Sequence, residues 1–265
     1  MLTLRDLNLF YGADSGSETQ QTQVIFNLNL DFSKGEKVAI IGPSGAGKSS
    51  LLHHIYQQLQ DQAALCSQAQ GLVDNLSIYH NIYMGALARH HWSYNLVNLI
   101  KPFKSHLNKV QSICQQLELD QALDKKVDQL SGGQRQRVAL GRAVYQQQAV
   151  FIGDEPFSAI DPLMARRLIT KLFDLHETVI MVVHDRDLAL SHFDRVIALC
   201  QGQLALDSHE ETVNQAKITE LYQKTLVASQ QALFTDPQTK VTDPQAKALD
   251  TENIKHSDEQ LKDVG

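Results

Sequence analysis

The sequence predicts an α/β fold in which a largely parallel sheet is covered by helices. Three observations carry that expectation. Short β-branched runs alternate with helical segments along most of the chain, as strand–helix–strand crossover units do. Three runs, EKVAII (36–41), AVFIGD (149–154) and TVIMVV (178–183), are dominated by apolar residues, as central strands buried on both faces are. Two earlier stretches, LTLRDLNLF and VIFNLNLDF, alternate apolar and polar residues instead, the pattern of half-exposed antiparallel strands.

In chain order, the two alternating stretches are separated by GADSGSETQQTQ, a polar flexible loop. The first buried run leads into GPSGAGKSS (42–50), and the second ends in paired acids. From about residue 76 to 147 the pattern is helical with no convincing strand, which predicts a helical subdomain whose last helix begins at Ser131. These parts make one domain over residues 1–230. Beyond it, TDPQTK recurs as TDPQAK, prolines interrupt any helix and apolar residues thin out. Residues 231–265 therefore read as a disordered polar tail, either a tolerated extension or a docking arm.

Composition narrows the function classes. With 265 residues and a hydrophobic fraction of 43%, the chain can supply a real core. A net charge of −6 argues against a broad nucleic-acid surface, which needs clustered Lys and Arg. The start, MLTLRDLNLFYG, lacks the apolar core of a signal peptide, and no run approaches the roughly 18–20 apolar residues of a membrane span. A cytoplasmic chain without an anchor is expected. Cys66, Cys114 and Cys200 are widely separated, form no CxxC pair and read as buried small side chains.

The chemistry-bearing motifs are specific. GPSGAGKSS fits GxxxxGK[ST] between a buried strand and the apolar start of a helix. Gly42, Pro43, Ser44, Gly45, Ala46, Gly47, Lys48, Ser49 and Ser50 would cradle the phosphates of ATP. Backbone N–H groups turn inward, Lys48 adds a cation and Ser49 offers a hydroxyl to Mg²⁺. A glycine turn without a ligand is the alternative, disfavoured because strand, motif and helix coincide. Asp154 and Glu155 end an apolar strand at the sheet's carboxyl edge, where α/β ligands sit. Asp154 would support the Mg²⁺ shell, and Glu155 would deprotonate the attacking water.

With LSGGQ (130–134) lying between these motifs, residues 1 to about 225 resemble ATP-binding cassette ATPases. The resemblance implies a P-loop NTPase cassette with a RecA-like core, an antiparallel β subdomain and a helical signature subdomain. It also implies a homodimer burying two ATP molecules. Ser131, Gly132, Gly133 and Gln134 of one copy would then face the γ-phosphate held by the phosphate loop of the other. Physically, Ser131 can cap the helix while nearby N–H groups and the helix dipole favour an anion.

Further positions follow from the same resemblance. Tyr11 matches the aromatic that stacks on adenine. Gln68 matches the glutamine that senses Mg²⁺ and the transmembrane partner, with Gln70 as a nearby decoy. Asp161 closes the loop communicating between the two sites, and His184 matches the histidine that contacts the γ-phosphate and holds the attacking water. One departure stands out: only residues 53–67 separate Leu52 from Gln68, where family members insert a hairpin and another helix. A reduced antiparallel subdomain is expected.

NLVNLIKPFKSHLNKV, GALARHHWS, LVDNLS and DQLSGGQRQRVALGRA are similar to phosphonate-type importer ATPases. That similarity implies transmembrane permease subunits as partners at the cytoplasmic face of the inner membrane and a possible solute-binding protein; the acidic net charge predicts no nucleic-acid partner. Trp92, Leu96, Leu99 and Phe103 either line a groove for a permease helix or pack their own subdomain. His90 and His91 lack a third ligand at metal spacing. The alternatives are an exporter or lipoprotein-extruding ATPase, a non-transport cassette, or a regulatory module without turnover.

Overall fold

The two alternating stretches pair antiparallel, as β1 (Leu2–Tyr11) and β2 (Thr22–Phe32). Their register slips three times, and Asp6 and Asn27 adopt left-handed backbone (φ 48° and 45°), a conformation that Asp and Asn tolerate better than most residues. The computed structural model describes residues 1–11, 22–67 and 71–223, with only the backbone of Tyr11. The predicted tail, 231–265, lies outside the described residues, as does the loop between β1 and β2, residues 12–21.

A second sheet holds six strands: β3 (Lys37–Ile41), β4 (Ala63–Cys66), β5 (Val150–Asp154), β6 (Thr178–Val182), β7 (Arg195–Cys200) and β8 (Gln203–Asp207). Their spatial order is β4-β5-β6-β3-β7-β8. The first four pairings are parallel and β7-β8 is antiparallel. Every predicted buried run is a central strand. β4, β7 and β8 are absent from the strands that the sequence predicts. Four residues of β4 give too short a run to announce a strand, and β7-β8 carries Arg195 and Asp207 inside its pattern.

Those two charges are buried and paired. Arg195 donates to both carboxylate oxygens of Asp207, at 2.8 and 2.5 Å, and lies 3.5 Å from Glu36. Burial alone would raise the Asp207 pKa, but the guanidinium and the His209 backbone N–H hold it below the usual carboxylate value.

The described helices include α1 (Lys48–Leu59), α2 (Ile78–Tyr83), α3 (Trp92–Ile100), α4 (Lys104–Gln116), α5 (Gly132–Tyr145), α6 (Pro162–Leu175) and α7 (Arg186–His192). Alternation along β3 divides the core. Val38 and Ile40 join Leu51, Leu52 and Ile55 of α1 with the inner face of β2. Ala39 and Ile41 join α2, α4, α5 and α6 on the other face. The two-residue period of a strand is thus read by a different layer on each side.

The helical region runs against the usual pattern at α3. Asn95 and Asn98 are buried, bonded to Tyr83 and Tyr79 hydroxyls at 2.8 and 2.7 Å. Trp92 and Leu96 remain 69% and 51% exposed, whereas Leu99 packs on the core and Phe103 lies beside Tyr94. The four apolar residues therefore divide into an outward pair and an inward pair. Cys66 and Cys114 are buried, with burial pushing their thiols up to about 12, but Cys200 at the end of β7 is only partly buried, short of the expectation.

Candidate functional site

The carboxyl edges of β3, β5 and β6 converge on a cleft of about 340 Å³. Ser44, Gly45, Gly47, Lys48, Ser49 and Ser50 line one side, Glu155 and His184 the other, with Val24 of β2 at the rim. The parallel order explains the convergence: β3 lies beside β6, and β6 beside β5, so all three deliver their following loops to one edge.

On the loop side, Gly47 adopts φ 90°, and a Cβ there would sit 2.7 Å from the Val24 carbonyl oxygen. Only glycine satisfies both constraints. Gly47 is also the N-cap of α1, so no side chain caps that helix and its first turn contains no acid. The uncapped N–H groups and the helix dipole suit an anion. Lys48 is 6% exposed and donates to the carbonyls of Gly42 and Pro43 at 2.9 Å each. Burial lowers its pKa, opposed by the nearby carboxylates of Glu155 and Asp154.

Asp154 and Glu155 face different surroundings. Oδ1 of Asp154 is buried with no hydrogen-bond partner among the described residues, an arrangement that favours a cation or its water because an orphaned buried oxygen is costly. That oxygen and the Ser49 hydroxyl are hard oxygen donors of the type Mg²⁺ takes. Glu155 sits just after β5 in left-handed backbone, φ 51°, a strain on the order of 1–3 kcal/mol for a non-glycine residue. Its Oε1 lies 2.6 Å from Nε2 of His184. His184 follows β6 and its side chain is 59% exposed, so the imidazole projects into the cleft rather than into the core.

The LSGGQ segment lies elsewhere. Ser131 is the N-cap of α5, accepting from Gln134 N at 3.3 Å, while the Gln134 side chain accepts from Ser131 N at 3.0 Å. This reciprocal capping box holds the helix tip ready. Ser131 and Gly132 are exposed, and none of residues 131–134 lines the cleft.

Family comparison agrees with these features. The family described as ABC transporter matches residues 25–158, half of the chain. A phosphonates import ATP-binding protein, PhnC, of Pseudomonas entomophila is 34% identical over 238 residues, covering 79% of this chain and 89% of that relative. The chain belongs to the ABC transporter family. PhnC of Pseudomonas putida is 33% identical, covering 76% and 85%. Among solved structures, a dimeric post-hydrolysis state of the ATP-binding cassette MJ0796 bound to ADP and Pi superposes with a TM-score of 0.66 at 23% identity, covering 78% of this chain and 97% of that one. A nucleotide-free cassette from an ABC transporter gives 0.64 at 19% identity, covering 84% and 96%. These likenesses establish the cassette fold.

The remaining predicted positions of the cassette have mixed outcomes. Asp161 is the N-cap of α6, accepting from the N–H groups of Leu163 and Met164 at 2.9 and 3.2 Å. Gln68 and its decoy Gln70 lie outside the described residues, as does the side chain of Tyr11. Both flanks of Gln68 are anchored: Cys66 pairs with Gly153 in the sheet, and Arg142 of α5 donates to the Gly71 carbonyl at 2.8 Å.

Two neighbours of the site went unnoticed in the sequence. Tyr222, in the helical stretch 215–223, accepts a hydrogen bond from the Gly42 N–H at 2.9 Å, and Arg186 lies 3.9 Å over its ring. No local motif announces a tyrosine 180 residues from its partner. Gln136, buried at the junction of α5 and the loop after Glu155, was likewise hidden by its position beside LSGGQ.

Proposed function

We propose that this cassette is the ATP-hydrolysing subunit of a transporter that imports phosphonates or related phosphorus compounds. It would work as a pair of copies at the cytoplasmic face of a membrane, docked on separate permease subunits that a solute-binding protein supplies. One observation carries the pairing: the phosphate-side cleft is lined without any of residues 131–134, while that helix tip is exposed and self-capped. A second copy would bring its Ser131–Gln134 tip over the γ-phosphate. No helix among the described residues is long and apolar enough to cross a membrane, and the proposal gives the membrane path to the permease subunits. The cargo assignment is supported by relatives named as phosphonates import ATP-binding proteins that match over most of this chain.

In this reading Lys48 and the N–H groups opening α1 bind the β- and γ-phosphates of ATP, and Tyr11 stacks on adenine. Ser49 and Asp154, with Gln68, would hold Mg²⁺, which neutralises charge developing on the phosphates. Glu155 takes the proton of the attacking water, and His184, already within hydrogen-bond distance of that carboxylate, orients both water and γ-phosphate. The left-handed backbone at Glu155 fixes where the carboxylate points. Asp161 would pass the state of one site to the other.

Replacement of Glu155 by Gln tests the assignment. ATP affinity should persist, turnover should fall roughly 10²- to 10⁴-fold, and a dimer should accumulate in Mg-ATP on size-exclusion chromatography. Unchanged hydrolysis would overturn the base assignment, and a monomer under saturating ATP would overturn the pairing. Uptake of a labelled alkylphosphonate by cells carrying this cassette and its permease should vanish with Lys48→Ala; uptake that persists would contradict the cargo.

A further inference from the structure

We propose that Gln136 is a positioning residue through which the signature helix holds the Glu155 peptide of its own chain. The inference rests on the function proposed above and adds to it the physical link between the two halves of the composite site. Gln136 is 4% exposed, and its side-chain amide makes three hydrogen bonds, all to the segment that begins at the catalytic carboxylate. Nε2 donates to the Glu155 carbonyl at 3.1 Å and to Ser158 Oγ at 3.0 Å. Oε1 accepts from Ala159 N at 2.8 Å.

Those bonds fall where the backbone most needs support. Glu155 holds φ 51°, a conformation that persists in a non-glycine residue only when its surroundings overdetermine it. From the sheet side, Glu155 N donates to the Val182 carbonyl at 3.1 Å. The Glu155 carbonyl accepts from Ser158 N at 3.2 Å within its own turn and, from the helix side, from Gln136. A neutral amide does this without placing a charge beside the carboxylate, so it fixes geometry and leaves the electrostatics to Lys48 and His184.

The neighbours of Gln136 on α5 point to other partners. Arg135 bonds to Asp74 and to the Val127 carbonyl, and Arg137 to the carbonyls of Gly133 and Glu118. Gly133, one helical turn before Gln136, packs so closely that a Cβ there would lie 2.8 Å from the Ala159 carbonyl oxygen. The helix tip and the loop after Glu155 are therefore in backbone contact, with Gln136 as the hydrogen-bonded bridge. Whatever docks on Ser131 acts on a helix whose next turn holds the peptide carrying the base. A nucleotide bound by the opposing copy would thus be felt at this copy's own Glu155.

Gln136→Glu and Gln136→Ala test the link. The glutamate is nearly isosteric and keeps an acceptor for Ala159 N, but it loses the donor to Glu155; the alanine loses both. Turnover should fall about 10- to 100-fold, the scale of a misplaced reacting group. KM for ATP, nucleotide affinity and ATP-driven dimerisation should stay near those of the unmodified cassette. Placed on Glu155→Gln, neither change should lower turnover further, because a positioning residue acts only through the group it positions. Gln136→Glu with wild-type turnover, while Glu155→Gln is inactive, would overturn the proposal and leave the function intact. Losses that multiply fully with Glu155→Gln, or that fall on nucleotide affinity instead of turnover, would also overturn it. An active Glu155→Gln cassette would instead remove the base assignment on which the inference rests.

Discussion

The phosphate-loop cleft and the LSGGQ helix tip both open a helix on glycine and serine, yet the chain treats them oppositely. At the cleft, Lys48 is buried and bonded, α1 begins on an uncapped glycine, and strand ends bring Asp154, Glu155 and His184 alongside. At the tip, Ser131 and Gln134 satisfy one another in a capping box on an exposed helix end. In the proposed pair, one region is half of the site and the other is a capped surface that would complete the site of a second copy. Spatial separation of motifs that look alike explains why neither duplicates the other.

The comparison can be broken first at the cleft. Lys48→Ala removes the buried ammonium that the proposal assigns to the phosphates and should cost about 2–5 kcal/mol of nucleotide binding, measured by titration of a fluorescent ATP analogue. Equal affinity would mean that the cleft is not assembled as described. Gly133→Ala comes next. Its methyl would meet the Ala159 carbonyl at 2.8 Å, so a loss of about 1–3 kcal/mol is expected from overpacking, visible in urea unfolding. A gain in stability would show that tip and loop are not in contact.

Ser131→Ala separates the regions further. Loss of the cap should cost about 1 kcal/mol of stability, and nucleotide binding by the monomer should not change, because Ser131 does not line the cleft. Weaker nucleotide binding by the monomer would erase the distinction. The smallest effect concerns the frame beneath the tip. Hydrogen bonds from Arg167, then Lys171, hold Glu118 down to about 2, against 4.5 unperturbed, and tie the end of α4 to α6. A depressed carboxylate adds stability above its unfolded pKa and loses it as pH falls through the folded one. The stability gap between the cassette and Glu118→Gln, at most about 1 kcal/mol for so exposed a cluster, should therefore close between about pH 4.5 and 2. A gap that persisted unchanged at pH 2 would contradict the ion cluster.

The cleft was legible because its chemistry is local. Gly47, Lys48 and Ser49 are consecutive between strand and helix, and Asp154-Glu155, ambiguous as a bare strand end, take their meaning from that loop. Helix α5 was equally plain, since Ser131 and Gln134 stand at capping-box spacing. What the sequence hid is non-local. Strand β4 is recognisable only once β5 lies beside it, and β7-β8 only once Arg195 and Asp207 satisfy each other. Nothing near Gln136 or Tyr222 foretells the loop or the Gly42 N–H that each one meets. Helix α3 misleads for a related reason: its asparagines are buried by tyrosine partners from α2, which turns Trp92 and Leu96 outward.

The most direct test of the composite site mixes two inactive cassettes, Lys48→Ala and Ser131→Arg. Each alone spoils both sites of a pair. In a mixed pair, the intact phosphate loop of one copy meets the intact Ser131 of the other, so ATP turnover should reappear on mixing and track the fraction of mixed pairs. If mixed pairs form in Mg-ATP and remain as inactive as either parent, the nucleotide is not shared between two copies, and the account is wrong.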